Sequence, residues 1–498
     1  MPTTSGIRVP NPVQTPDADR RRRLLVLAIC CMSMVVVVMD LSIVNVALPD
    51  MRRELDASPS GLQWTVDAYA LVLAVLLVVS GSLADRFGRR RMFLVGLAIF
   101  GIGSLACGLA PTIGWLIAAR AAQAVGGAML NPVAMAIVAN TFPDAAERAR
   151  AIGVFGSMSG LALVLGPVLG GFLVDSFGWR SIFVVNVPVV ILAIVLTATF
   201  VPESRAAHPR RLDPPAQLLV AVFLGGVVFA VIEGGSLGWG SPAIVGIAVA
   251  CVLSAVALVL VERRRREPLL EPRLFRSMPF VSALVMAVVA MCGFQAFLFV
   301  ITLYLQNVRD LSPWAAGCCL VPIGVLVLVL SPISGRMVAA RGARRPLVTA
   351  GFALAVSGLA LLWLAPQTWM PVVLCFFVPV GLFLGLVNPP ISNTAVSGMP
   401  RSMAGVAASL ASSGRQAGTA LGVAIAGAVV GPTLGRGAVA FTDAAHGVWW
   451  MLLALGLVLA ALAVLSTGTW AAATAARAAT TPRAAATAAR AATTPRVE

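Results

Sequence analysis

The chain has 498 residues, of which 59% are hydrophobic and 11% are charged. An average soluble domain carries about 25% charged residues, so this composition excludes a soluble globular protein and indicates an integral membrane protein. The formal net charge of +16 would suit a nucleic-acid partner, but the positions of the arginines indicate a membrane topology instead.

Apolar segments of about 20 residues, long enough to cross a bilayer, recur along nearly the whole chain. Breaks that contain Arg, Pro, Gly or Asp separate them. We predict fourteen transmembrane helices, at residues 24–48, 62–84, 92–110, 112–139, 150–173, 181–201, 216–233, 243–261, 279–304, 313–335, 346–365, 371–396, 403–430 and 446–469. The predicted fold class is an all-α polytopic membrane protein.

The 36 basic residues are all arginines, which we attribute to the codon usage of a high-GC bacterial genome. With a cytoplasmic N-terminus, few of them lie outside the tails and inner loops: Arg120 and Arg415 within spans, and Arg52, Arg53, Arg180, Arg309 and Arg436 on outer loops. The positive-inside rule therefore predicts that both termini are cytoplasmic, which agrees with an even number of spans.

Two inner loops share a pattern of two glycines followed by a basic cluster. They are GSLADRFGRRRMF at 81–93 and GRMVAARGARRPL at 335–347. This internal repeat predicts two related six-helix halves, at 21–205 and 266–470, with two additional central helices in 206–265.

The two ends of the chain differ from the spans in composition. Residues 1–20 are polar and contain proline, so we predict a disordered cytoplasmic segment there. The tail at 471–498 contains AAATAARAATTPR twice in tandem, which indicates DNA slippage, with a helical or membrane-surface role as the alternative.

Asp40 is a carboxylic acid inside the apolar first span. A charged side chain near the middle of a bilayer costs roughly 2.5 to 3.5 kcal/mol, so an acid there is seldom accidental. Apolar surroundings also favour the protonated form of a carboxyl group. We predict that Asp40 binds protons or cations; the alternative is a structural ion pair or a helix-packing hydrogen bond.

The loop GSLADRFGRRR resembles the signature between helices 2 and 3 of the major facilitator superfamily, and the resemblance extends over nearly all of residues 24–470. It implies that glycine at the first position allows close helix approach. The charged positions would form contacts that close the inner side of the outward-facing state. The residues that it implicates in gating are Gly81, Asp85, Arg86, Gly88, Arg89 and Arg90. A plain positive-inside stop signal is the alternative.

MDLSIVNVALP at 39–49 resembles the helix 1 signature of the fourteen-helix drug:proton antiporters, the QacA/EmrB type, and this implies proton coupling by Asp40. RAAQAVGGAML at 120–130 resembles the helix 4 motif, although Ala124 stands where the family pattern has glycine. A guanidinium at membrane depth needs an anion or a carbonyl partner. We expect Arg120 to bind Asp40 and to be released when Asp40 is protonated; bonding to backbone carbonyls alone is the alternative.

GVFGSMSGLALVLGPVLGGF at 153–172 resembles the helix 5 motif of antiporters. Glycines at helical spacing let two backbones approach, and proline removes a backbone hydrogen bond and bends the helix. The resemblance implies a pliable, leak-resistant contact between the halves at Gly166, Pro167, Gly170 and Gly171. Export direction depends on this motif; generic helix packing is the alternative.

Five further polar residues are candidates for the substrate cavity: Asn45, Asp67, Gln123, Asn131 and Arg415. No Asp or Glu lies between Asp310 and Asp443, so the second half offers little for a doubly charged cation. This favours lipophilic, neutral or monocationic substrates. No residue pattern predicts catalysis, a metal site or an organic cofactor.

The sequence therefore predicts a monomeric proton-coupled multidrug or antibiotic exporter of the plasma membrane that works by alternating access. Its expected partners are a small lipophilic substrate, protons and membrane lipids, and neither a nucleic acid nor an enzymatic activity is expected. The proton gradient would supply the energy. A facilitator or importer of a small metabolite on the same fold is the nearest alternative, and a non-transporting membrane sensor is a more distant one.

Overall fold

The computed structural model describes residues 16–142, 144–205, 213–264, 274–397 and 401–479, and these residues form helices and connecting turns without any strand. The helices of the first part are α1 (Pro16–Glu54), α2 (Pro59–Phe87), α3 (Arg89–Gly108), α4 (Ile113–Thr141), α5 (Ala145–Phe177), α6 (Ser181–Val184), α7 (Asn186–Phe200), α8 (Pro214–Leu237) and α9 (Pro242–Arg264). Those of the second part are α10 (Met278–Leu303), α11 (Pro313–Cys319), α12 (Val321–Arg341), α13 (Arg344–Leu361), α14 (Met370–Val396), α15 (Arg401–Val430), α16 (Ala438–Ser466) and α17 (Thr469–Ala479).

Thirteen helical stretches within the described ranges are long and apolar enough to cross a membrane, which confirms a multi-pass membrane protein. The sixth predicted span corresponds to α6 with α7, and the tenth to α11 with α12. The span predicted at 346–365 is a helix, α13, but it is not among the thirteen. Its 18 residues include Arg344 and Arg345, which lower its hydropathy.

Both predicted tails are partly helical. Helix α1 begins at Pro16, so the prediction of disorder over 1–20 is wrong for its last residues, because extending an existing helix needs no new nucleation. Helix α17 contains the start of the repeated tail, and the Thr474 hydroxyl accepts a hydrogen bond of 3.0 Å from the Met278 amide at the start of α10. Residues 1–15, the linker 265–273 and the second repeat copy lie outside the described residues.

Many large apolar side chains are exposed at the surface of the helix assembly, and several polar side chains are buried among the apolar residues of its core. Helix α1 packs against α4, α5 and α7, while α2 packs against α4, α8 and α15. Helix α10 packs against α14, α15 and α16. Large apolar side chains such as Val252, Leu253 and Trp363 are exposed, as expected of a surface that faces lipid. Polar side chains at the contacts of α1, α2, α3, α4 and α7 are therefore candidates for function.

Candidate functional site

Asp40 is fully buried and accepts hydrogen bonds from side chains of two other helices. Its Oδ2 forms an ion pair with Nη1 of Arg120 from α4. Its Oδ1 accepts from Nε2 of Gln123 at 2.9 Å and from Nδ2 of Asn186, on α7, at 3.1 Å. The contact predicted between Asp40 and Arg120 is present. Since every partner is a donor, the arrangement suits the ionised carboxylate.

Arg120 is also fully buried, and its guanidinium is bound on several sides. Its Nε donates to the backbone oxygen of Thr65 in α2 at 3.2 Å. Its Cζ lies 4.1 Å from the centre of the Tyr69 ring, a distance at which the ring attracts the cation. Its Nη2 has no hydrogen-bond partner among the described residues. Protonation of the carboxylate would leave this cation with one carbonyl, one amide oxygen and the ring.

Gln123 connects the ion pair to α3. Its Oε1 accepts from Nη1 of Arg120 at 2.7 Å, and its Nε2 donates to the Ser104 hydroxyl at 2.7 Å. Helix α3 can come this close because position 103 is a glycine: a Cβ at Gly103 would lie 2.6 Å from Cα of Gln123. The amide thus fixes the position of both charged groups, which is the usual role of neighbours that hydrogen-bond a buried pair.

Sequence reasoning found Asp40, Arg120 and Gln123 but missed Asn186 and Ser104. Asn186 had a signal, because it is the one strongly polar side chain in the apolar run at 182–196. Ser104 had none, since a serine in a transmembrane helix commonly bonds to its own backbone.

Two of the predicted cavity residues bond locally. Nδ2 of Asn45 donates to the backbone oxygen of Leu41 at 3.1 Å, and its Oδ1 has no partner among the described residues. Arg415 donates from Nη2 to the Ser412 hydroxyl, one turn earlier in α15, at 2.6 Å. Neither residue is hydrogen-bonded to the network around Asp40.

Asn131 and Asp67, which were also predicted to line the cavity, have side-chain oxygens without a hydrogen-bond partner among the described residues. Oδ1 of Asn131 is buried without a hydrogen-bond partner in the described part of the chain. Asp67 is fully buried, and both of its carboxyl oxygens lack a partner there. Asp67 therefore does not line an open cavity mouth in this conformation.

The structure contains a small cavity near the predicted helix 5 motif and a larger one elsewhere. The small cavity measures about 20 Å³, room for little more than a water molecule, and is lined by Ser42, Pro167, Phe294, Leu298, Leu320, Ile323 and Gly324. The larger one measures about 560 Å³ and is lined by Arg22, Arg23, Val26, Ile137, Asn140, Thr141, Pro202 and Ser204. Neither includes Asp40, so this conformation holds the ion pair closed.

The predicted gating loop connects α2 to α3 through Gly88. This glycine has a φ of +108°, and a Cβ there would lie 2.7 Å from a carboxyl oxygen of Glu203. Glu203 accepts hydrogen bonds from the backbone amides of Arg90, at 3.1 Å, and Arg91, at 3.3 Å. An anion at this position stabilises the N-terminus of α3, and sequence reasoning did not find it.

The other residues of the gating loop bond within the first half of the chain. Arg89 forms an ion pair of 2.9 Å with Asp85, and Arg90 donates to the backbone oxygen of Ala198. Arg86 is exposed and lies beside the Phe87 ring, with 5.7 Å between Cζ and the ring centre. Among the described residues, no atom lies within 4 Å of a Cβ built on Gly81, so close helix approach is not what requires a glycine there in this conformation.

The glycines of the helix 5 motif lie at close contacts on two sides of α5. Cβ atoms built on Gly166 and Gly170 would overlap Ser42 and Ile43 of α1. A Cβ on Gly171 would lie 2.7 Å from Cα of Trp314 in α11, and one on Gly317 would overlap the backbone of Pro167. Helix α5 therefore lies against the side chains of Ser42 and Ile43 in α1 and against the backbone of α11 in the second part of the chain.

Solved structures of transporters share this fold. A mutant of the peptide transporter POT in complex with sulfate aligns with a TM-score of 0.63 and 18% identity, covering 88% of this chain and 94% of that one. A bacterial homologue of the human lysosomal transporter Spinster, inward-facing and unoccupied, aligns with a TM-score of 0.61 and 20% identity, covering 93% and 99%.

Curated relatives are more similar in sequence. The multidrug resistance protein Stp of Mycobacterium tuberculosis is 37% identical over 395 residues, which cover 79% of this chain and 73% of the relative. The puromycin resistance protein of Streptomyces alboniger is 35% identical, over 87% of this chain and 85% of its own. The tetracenomycin C resistance and export protein of Streptomyces glaucescens is 34% identical, over 80% and 74%.

The sequence profile of one family matches residues 30–423, a range that contains both residues of the buried ion pair and the gating loop. Its extent, the shared fold and the curated relatives agree with one another. The chain belongs to the Major Facilitator Superfamily.

Proposed function

We propose that this protein is a proton-coupled exporter of lipophilic drugs or antibiotics that works by alternating access. The observation that carries the proposal is the fully buried ion pair of Asp40 and Arg120, which joins α1 to α4 inside a membrane protein. Three curated relatives bear names of resistance or export proteins, which supports export of small molecules.

The ion pair is a suitable device for coupling. Arg120 keeps its charge, whereas a proton on Asp40 removes the anion that binds it. A proton and a substrate that each favour a different arrangement of this pair exclude one another, and such competition makes the coupling reciprocal. A proton that moves inward releases roughly 2.3 kcal/mol per 100 mV of membrane potential, which can drive export uphill.

The substrate class follows from the charge distribution. The stretch between Asp310 and Asp443 contains no acid, so helices α11 to α15 offer no carboxylate for a doubly charged cation. Neutral or monocationic lipophilic compounds fit best, with Asn45, Asn131 and Arg415 as the candidate polar contacts. Such cavities select by shape and apolar lining as much as by single polar contacts.

The remaining parts of the proposal concern gating and organisation. Two six-helix halves move relative to one another, while the Asp85 loop and the Pro167 motif gate the two sides. Helices α8 and α9 are the additional pair between the halves. The protein resides as a monomer in the plasma membrane of a high-GC bacterium, with both termini cytoplasmic, and it uses the proton gradient and no cofactor.

Removal of one charge tests the coupling. In Asp40→Asn we expect uphill export of a fluorescent dye in proteoliposomes to fall to the level of empty vesicles, because the pair can no longer respond to protons. Asp50→Asn is the matched control, since Asp50 lies on the same helix but pairs with Arg53 at its end. Undiminished uphill export by Asp40→Asn would sink the coupling assignment.

A second comparison tests the class of transporter. A panel of dyes and antibiotics is measured in cells with and without the gene, each time with and without an uncoupler. Lower accumulation that the uncoupler reverses supports proton-driven export. Transport that persists unchanged without the gradient favours the facilitator instead.

A further inference from the structure

Asp67 is a fully buried carboxyl group without a partner, and the coupling mechanism does not use it. None of its surface is exposed, and neither Oδ1 nor Oδ2 has a hydrogen-bond donor in the described ranges. It lies on α2, one helical turn from Gln63, whose Oε1 also lacks a partner there. Asp40 differs sharply, since three donors bind it.

The surroundings of Asp67 are formed where α2, α8 and α15 meet. A Cβ built on Gly427 of α15 would overlap the Gln63 side chain, so α2 and α15 are in close contact at this level. A small apolar cluster covers the same stretch of α2, with contributions from all three helices: Ala70, Val228, Ile232, Ala420 and Ala424, with Trp64, Leu71, Val231 and Leu421 packed against them.

The charged and titratable groups on the surrounding helices are engaged elsewhere. On α8, Glu233 accepts a hydrogen bond of 3.0 Å from Nε1 of Trp64. On α15, Arg415 donates to Ser412, and on α4, Arg120 binds Asp40 of α1. On α3, the Cys107 thiol faces Gln123 at 3.8 Å. The structure gives none of these groups a hydrogen bond or ion pair with Asp67.

An ionised carboxylate at the buried position of Asp67 would be strongly destabilised. Burying a charge without a partner costs several kcal/mol, and proteins avoid this cost by neutralising the group. A carboxyl group in water, by contrast, ordinarily loses its proton near pH 3.9, roughly. The closed contact of α2 with α15 therefore holds Asp67 protonated, and a contact that opens to water releases the proton.

We propose that Asp67 is a proton-operated latch: the contact of α2, α8 and α15 closes only when this carboxyl group has bound a proton, and ionised Asp67 holds it open. The proton is taken up on closing and returned to the same side on opening. Asp67 thereby sets how external pH controls the cycle, without adding to the protons carried per substrate. This role rests on the proposed alternating access but not on coupling by Asp40.

The sign of the effect follows from proton counting. The open state binds one proton fewer than the closed state, so a rise in pH favours opening. With one proton involved, the ratio of closed to open molecules falls about tenfold per pH unit above the range in which hydrated carboxyl groups titrate. A neutral side chain of the same shape, Asp67→Asn, removes this dependence.

The test measures the opening directly in the full-length protein. Spin labels are attached at Arg53→Cys and Arg436→Cys, exposed positions near the ends of α1 and α15, in a background without the native cysteines. Distances are recorded by pulsed electron spin resonance in lipid nanodiscs from pH 5 to pH 8. We expect the wild-type chain and Asp40→Asn to open with the tenfold slope, and Asp67→Asn to show none.

The matched control is Glu233→Gln, an acid on the same contact that already has a partner and should keep the slope. A flat wild-type profile overturns the latch even if Asp67→Asn fails to fold, and so does an unchanged slope in Asp67→Asn. Loss of the slope in Asp40→Asn alone would assign it to the ion pair instead. If the protein is not an exporter, dye transport would be absent although the spin-label distances still change with pH. The two proposals therefore fail separately.

Discussion

Burying the charged side chains of Asp40 and Arg120 costs free energy, and contacts with neighbouring groups offset that cost. A buried ion pair stabilises little by itself, because removing both charges from water costs about as much as their attraction returns. Asp40 and Arg120 persist because an amide, a second amide, a carbonyl and an aromatic ring complete their contacts. Their placement is better explained by function than by stability.

Gly88 offers a prediction at the same scale. Gly88→Ala should destabilise the protein by about 1 to 3 kcal/mol, since alanine rarely adopts a φ of +108°. Its Cβ would in addition displace Glu203 from the start of α3. Thermal unfolding in detergent measures the effect.

The control for that change is Gly178→Ala, at a φ of +78° with no atom within 4 Å of the new Cβ. Gly178→Ala has only the free-energy cost of placing alanine at a positive φ. It should therefore lower the unfolding temperature less than Gly88→Ala does. Equal losses in the two variants would show that the Glu203 contact contributes nothing.

At the scale of elements, α5 packs against helices of both parts of the chain, so we expect motion between these parts to involve this helix. One of its faces lies against α1 and another against α11, with glycines at both contacts. Pro167 lies between them and weakens the helix at that point, so α5 can bend where it must also pack tightly.

Gly171→Ala should hinder closure of this contact. The new Cβ would meet Trp314, and overpacking of this kind costs typically 1 to 3 kcal/mol, which shifts a two-state equilibrium at least about fivefold. We expect dye export to fall by a similar factor while size-exclusion profiles stay normal. Gly153→Ala on the same helix, where no atom of the described residues lies within 4 Å of the new Cβ, should export normally. If this variant loses as much export as Gly171→Ala, the contact with α11 is not the cause.

At the scale of the whole molecule, hydrogen bonds join the first and second parts of the chain at one end of the helix assembly. Arg52 donates to the backbone oxygen of Leu434, Gln306 to that of Val46, and the Trp314 amide to Asp175. These bonds join the first part of the chain to the second near the connections that follow α1, α5 and α10. The positive-inside rule predicts that these connections lie outside the cell, and we therefore expect this arrangement to be the inward-facing one.

That orientation is open to a labelling experiment. In a chain without its eight cysteines, Arg53→Cys should react with a membrane-impermeant maleimide added to intact cells, because 77% of the Arg53 side chain is exposed at the end of α1. Arg86→Cys, exposed in the loop after α2, should react only after the cells are opened. The reverse pattern would invert the topology.

The sequence alone determined the class of this protein and the two residues of its buried ion pair. Hydropathy reports the cost of exposing each segment to lipid, a property of local composition, so the spans could be read directly; only Arg344 and Arg345 made α13 ambiguous. Asp40 and Arg120 were recognisable because charges at membrane depth are rare.

Only the tertiary structure decided which groups complete the site and which remain without partners. Asn186, Ser104 and Glu203 act through contacts between distant segments. Asn186 stands out along the chain only as a polar residue in an apolar run, and nothing nearby in the sequence marks Ser104 or Glu203. The same holds for Asp67, which the sequence offered as a candidate cavity residue but which is fully buried in the structure. Burial and hydrogen bonding depend on which helices meet, and local composition does not encode that.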